Sequence, residues 1–186
     1  MDIHGPVLDE MLFCRGVNSF LTYLADLMTL IYEKYPKKLP SNRQTTYGFC
    51  IEHHMAGDLI SALAEETVIG LTHQNFDALA KYFKENLDLI LFKENIESEK
   101  AALSVDIRNI ITHNRGIVNR FFIQRNPRFA ADLRKRVVLS KDESREMLAN
   151  VGYCARQFDL RAIRKFGLET IEPLPEEAPS ISDNRV

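Results

Sequence analysis

Between positions 108 and 113 the chain reads Arg-Asn-Ile-Ile-Thr-His, followed at once by Asn114, Arg115 and Gly116. Arg108 and His113 are the residue types that can cut a phosphodiester without a metal. Histidine, with an unperturbed pKa of about 6.5, can take a proton from a 2′-hydroxyl or return one to a leaving oxygen. Arginine keeps its charge and can hold non-bridging oxygens as negative charge builds on phosphorus. Asn109, one helical turn before His113, would share a line of the helix with it and orient either the imidazole or a sugar. By the same geometry Arg108 lies about 140° round the helix from His113. One small target can reach both only from a cleft above the polar arc, or if a second helix supplies the other wall. Without further context, the same residues also describe a polar helix face carrying an ordinary surface histidine.

The elements that must hold these residues are helical almost throughout. Leu8, Leu12, Phe20, Leu24, Leu27, Ile31 and Tyr35 recur at helical spacing and predict one long helix from Val7 to Tyr35, with Pro6 tolerated at its start and Pro36 stopping it. A second helix is expected from Thr46 to Ile69 on Ile51, Met55, Leu59 and Leu63, and a third from Phe76 to Phe92. The fourth, Ser98 to Phe122, carries the motif opposite an apolar stripe of Leu103, Ile107, Ile110, Ile117 and Phe121, and Asn126-Pro127 closes it. Ser140 with Glu143 is a capping box that opens a fifth helix running to Phe166. Val137 to Leu139 is the one strand-like run and is too short for a sheet. The expected architecture is an all-α, five-helix, mostly antiparallel bundle over residues 1–172, with an acidic, proline-rich, disordered tail at 173–186.

Composition narrows the function. The chain has 186 residues, 45% of them hydrophobic and 27% charged, which fits one soluble domain with a real core. A net charge of −2 excludes a protein that coats nucleic acid by bulk charge, but the charge is unevenly spread. Residues 1–107 carry nine basic and sixteen acidic side chains; residues 108–136 carry eight basic ones against Asp132 alone. Such an arginine-rich segment suits bidentate phosphate binding, and Arg115 and Arg120 are the candidates for the RNA backbone. The competing account pairs these arginines with the acidic first three helices. Phe121, Phe122 and Phe129 interleave with arginines as in single-strand nucleic-acid platforms, although Phe121 on the apolar stripe reads as core.

Cys14, Cys50 and Cys154 form no CxxC pair, and their odd, sparse count fits a reducing compartment. The chain shows no signal-peptide pattern at its start, and its most apolar stretch, Phe20 to Tyr32, is interrupted by Asp26 and shorter than the ~20 residues a bilayer needs. A cytoplasmic protein is expected. Cys50, His54 and Asp58 at four-residue spacing could offer two metal ligands from one helix face, beside His53. No second helix offers a matching pair, so no metal and no cofactor are expected.

The stretch RNIITHNRGIVNRFF, late in a small all-α chain, resembles the signature of the HEPN superfamily (higher eukaryotes and prokaryotes nucleotide-binding domains). That signature is an arginine, usually followed by a polar residue such as Asn, with a histidine a few positions on; Arg108, Asn109 and His113 match it with four residues between arginine and histidine. The helical organisation extends the likeness loosely over residues 7–166. The resemblance implies a HEPN-like bundle and a metal-independent endoribonuclease that leaves a 2′,3′-cyclic phosphate, in toxin, anti-phage or RNA-processing systems. It further implies a homodimer in which two motifs share one cleft, with Arg108 stabilising the phosphorane, His113 moving the proton and Asn109 orienting. In HEPN toxins controlled by a minimal nucleotidyltransferase, the second position after the histidine is a modified tyrosine. Arg115 stands there in this chain, which points to a free-standing member or one held by a different regulatory or antitoxin protein. Other HEPN domains bind nucleotides or act as scaffolds, so a nucleotide-binding domain and a non-catalytic dimerisation or interaction module stand as alternatives.

Overall fold

A single long helix sets the length of the molecule. In the computed structural model, α1 runs from His4 to Lys34, about 45 Å at 1.5 Å per residue. Phe13, Val17, Phe20, Leu24, Leu27, Met28 and Ile31 form its buried stripe, and Pro36 opens a short 3-10 turn, Pro36–Lys38, that ends it. The structure describes residues 4–40, 44–72, 76–92 and 96–170. The remaining helices are α2 (Tyr47–Glu52), α3 (Ala56–Thr72), α4 (Phe76–Leu87), α5 (Ile96–Asn114), α6 (Arg120–Arg125) and α7 (Lys141–Phe166), with a second 3-10 segment at Pro127–Asp132. Among the described residues there is no strand, only one antiparallel bridge between Ile117 and Arg136. The fold is all-α.

Three helices come out shorter than their apolar periodicity suggests, so the expected five become seven among the described residues. The second divides at His53–Met55 because nothing packs on its first part: no residue of α2 is buried, and Tyr47 and Ile51 are 91% and 71% exposed. Without tertiary support, six helical residues do not carry a helix onward. The third stops at Leu87, where Asp88 turns left-handed (φ 47°) and Leu89, Ile90 and Leu91 alternate in, out and in as extended chain does. The fourth stops at Asn114, with consequences for the site described below. The expected tail at 173–186 lies outside the described residues.

The last helix matches its sequence signals. Ser140 accepts from Glu143 N while the Glu143 carboxylate accepts from Ser140 N, and Gly167 closes the far end in the left-handed conformation. α7 runs parallel to α1, tied by Tyr23 to Asp159 (2.8 Å) and by Tyr35 to the Phe166 carbonyl (2.9 Å). The two approach closely at Gly16, where a Cβ would stand 2.5 Å from Leu148 Cδ2. α5 runs antiparallel to both, crossing α7 at Lys100–Glu146 and Asn150–Glu97. One apolar cluster draws on α1, α3, α4, α5, α6 and α7.

Candidate functional site

α5 is the helix that holds the site, and for most of its length it is surrounded. Ala101, Leu103, Ser104, Val105, Asp106 and Ile107 are all buried. The polar members are satisfied in place: Ser104 donates to the Lys100 carbonyl, and Asp106 accepts from Arg125 Nε (3.0 and 3.1 Å) and Asn126 Nδ2 (2.9 Å). The first turn, Ile96 to Lys100, and the last two turns reach the surface, and the motif occupies the last two.

Arg108 is half-buried against α1. Its Nε donates to Asn18 Oδ1 at 2.5 Å and its Nη1 to Asn109 Oδ1 at 2.7 Å. Both acceptors are neutral amides, and Arg108 has no carboxylate partner among the described residues. Burial pulls its pKa below the ordinary arginine value, the mark of a cation held partly out of water without a counter-charge. One turn away on each helix, Thr112 hydrogen-bonds Cys14, whose thiol burial pushes up in spite of that bond. The pairs 18–108 and 14–112 thus form a polar seam in an otherwise apolar α1–α5 contact.

His113 lies one turn beyond Asn109, exposed and without a hydrogen-bond partner among the described residues. Of the roles that spacing leaves open to Asn109, orienting the imidazole or a sugar, the first is not made within the chain: its Oδ1 accepts from the charged Arg108 guanidinium. The clefts on other faces of α5, one of about 400 Å³ over Leu103 and Ile107 and one of about 710 Å³ beside Asp106, include neither Arg108 nor His113. Besides α5 itself, α1 borders the motif, through Asn18 and Cys14.

Past His113 the chain turns sharply. Arg115 and Gly116 both take positive φ (55° and 76°), Gly116 N reaches back to the Ile110 carbonyl (2.8 Å), and Asn114 Nδ2 donates to the Ile117 carbonyl (2.5 Å). Residues 116–118 then pair with 134–137, through Val118 N to Lys135 O, Arg134 N to Val118 O and Val137 N to Gly116 O. This corrects the single motif helix to Phe122: Arg115 is in the turn and Arg120 begins α6, whose cap is Asn119. It also corrects Phe121, which is 66% exposed while Phe122 (2%) takes the core position.

The eight cations of 108–136 divide into two groups. Arg125 is paired with Asp106 and Asp77, Arg136 with Glu10 (2.6 Å) and Lys135 with Asp132 (3.2 Å). Arg115, Arg120, Arg128 and Arg134 are exposed and, like Arg108, have no carboxylate among the described residues. Arg128 stacks on Phe129. Five of the eight cations are thus without a carboxylate partner among the described residues.

No family model, curated protein or solved structure matches this chain. Among the described residues no group of three or more His, Cys, Asp and Glu side chains is gathered as a metal would require. His53 and His54 fall between α2 and α3, so the one-face spacing of Cys50, His54 and Asp58 does not exist. No helix among the described residues is long and apolar enough to cross a membrane.

Sequence reading misses Asn18. It stands ninety positions from Arg108 within a helix read for its apolar stripe. The one available signal is a carboxamide inside a long helix, where Asn is a poor helix former.

Proposed function

We propose that this chain is a metal-independent endoribonuclease of the HEPN type, acting as a homodimer on RNA. The observation that carries the reading is the state of Arg108: a partly desolvated cation held at Nε and Nη1 by two amide oxygens, with no carboxylate among the described residues to quench it. Arg125, by contrast, is paired with two carboxylates. An arginine positioned by neutral groups keeps its field for a ligand, and the oxygens of a pentacovalent phosphorane need such a field.

In this reading His113 takes the proton of a 2′-hydroxyl, the freed oxygen attacks the adjacent phosphorus, and Arg108 stabilises the charge on the non-bridging oxygens. The 5′-oxygen then leaves with a proton, and a 2′,3′-cyclic phosphate remains. One chain presents a single histidine on an open surface, so the second proton-transfer group and the other wall come from a second copy. Leu8, Met11 and Leu12, exposed on α1 beside the end of α5, support a self-association face there. A place in toxin or anti-phage systems, a cytoplasmic setting and a regulatory or antitoxin partner belong to the same proposal and rest on the resemblance.

Those apolar side chains also favour the rival reading, a non-catalytic interaction module. The test is cleavage of total RNA and tRNA in excess chelator by wild type, Arg108→Ala and His113→Ala, each shown to be folded. Discrete fragments ending in 2′,3′-cyclic phosphate from wild type alone are expected. Cleavage that survives both substitutions would refute the assignment. Silence from all three, together with association indifferent to salt, would favour the module, because phosphate contacts weaken steeply as salt rises.

A further inference from the structure

We infer that Phe121, with Arg120 and Arg134 beside it, is a base-stacking subsite for single-stranded RNA; the inference rests on the ribonuclease reading and adds a second contact region to it. Three observations carry it. Phe121 is 66% exposed in the first turn of α6, although Phe122 next to it is buried and packs edge-on against Phe129 (5.2 Å). A bare phenyl ring facing water contributes nothing to the core and offers a flat apolar face to a ligand. The backbone pairing then brings Arg134, fourteen positions from Arg120 in sequence, to the start of the same helix, since Arg134 N donates to the Val118 carbonyl (2.9 Å) and Asn119 caps α6. Finally, Arg115, Arg120 and Arg134 have no carboxylate among the described residues, while Asp132 is paired with Lys135 and Glu10 with Arg136.

An exposed aromatic ring on a segment that also carries arginines without a carboxylate partner among the described residues discriminates among occupants. A second copy docking here would bring like charges together, and an apolar peptide would leave the arginines idle. A duplex offers phosphates but keeps its bases stacked inside. A single strand offers a phosphate and an unstacked base at every step, which is what alternating cations and rings bind. Arg115, in the turn that joins the motif helix to this segment, is a further cation on the chain between His113 and Phe121.

The test is fluorescence anisotropy of the full chain with a short labelled single-stranded oligoribonucleotide, and with the same strand annealed to its complement, across a salt series. Wild type, Phe121→Ala, Phe121→Trp and Arg134→Ala are compared. Stacking of one base predicts that Phe121→Ala weakens single-strand binding by about five- to 150-fold with an unchanged salt slope, and that Phe121→Trp restores it. Arg134→Ala should lower the slope by about 0.7, the value of one phosphate contact on a single strand. Duplex binding should be weaker and indifferent to position 121. Wild type that binds and cleaves single strands, with Phe121→Ala matching it within twofold, overturns the subsite and leaves the ribonuclease reading standing. Absence of both binding and cleavage in wild type overturns the two together. Dissociation of a dimer by Phe121→Ala assigns the ring to self-association and overturns the subsite.

Discussion

Replacing Asn18 by Asp exchanges the amide that accepts from Arg108 Nε at 2.5 Å for a carboxylate of the same shape. Two unit charges centred about 4 Å apart attract by about 4 kcal/mol at an effective dielectric of about 20. Arg108 is only half-buried, and a new carboxylate has to be desolvated, so the net gain falls to about 1 kcal/mol. In a chain of this size that raises Tm by about 2–4 °C. The same ion pair quenches the charge that a phosphorane would use, and loss of one such donor costs about 10²–10³ in kcat. Asn18→Asp should therefore melt later and cleave more slowly, with the loss in kcat rather than in KM. Thermal unfolding and steady-state cleavage of a fluorogenic RNA read the two effects separately. A purely structural asparagine would move stability and activity together. A variant that is stabilised yet cleaves at the wild-type rate would refute the use of Arg108's uncompensated charge, and a destabilised one would refute the contact itself. On the proposed reading Asn18 would be a positioning residue, acting through Arg108.

Two further outcomes test the scaffold. Asp106→Asn leaves Arg125 with only the exposed Asp77 and should cost about 3 kcal/mol in urea unfolding, whereas Asp77→Asn should cost less than about 1 kcal/mol; equal losses would mean that the buried carboxylate is not the anchor of α6. Burial pushes the Cys154 thiol up to about 11 from an ordinary value of 9.0. Its contribution is complete below the unfolded value, and as pH rises through that interval the unfolded thiol ionises first, removing about 2 kcal/mol. Cys154→Ala should show a correspondingly shallower alkaline decline in stability, and an unchanged slope would contradict the assignment.

Elements whose ends are marked by local chemistry were legible in the sequence. Pro36 ends α1, and the Ser140–Glu143 box with Gly167 brackets α7, because each signal acts within a few residues of itself. Boundaries inferred from periodicity alone ran too far. Ile117 and Phe121 continue the α5 stripe on a helical wheel, yet Asn114-Arg115-Gly116 turns the chain first, and the Gly two positions after an Asn was the signal that outweighed the stripe. That misreading also placed Phe121 in the core. Within the candidate site, Arg108, Asn109 and His113 were found by residue type and spacing, but what Asn109 binds was not. The competing acceptors and donors come from α1, and Asn18 meets Arg108 only after the helices have docked.

The two amides around Arg108 have one more consequence. Asn18 and Asn109 do not titrate, and neither can gain or lose charge over any pH at which the protein stays folded. The two acceptors of the guanidinium are therefore the same in acid and in alkali, and the titrating group that acts on it is the Cys14 thiol one turn away, whose ionisation in alkali would only hold the arginine's charge more firmly. On the proposed ribonuclease reading, neither amide would give the site a resting state, and control would act by access or by abundance: covering the open end of α5, keeping two copies apart, or limiting how much of the chain is made.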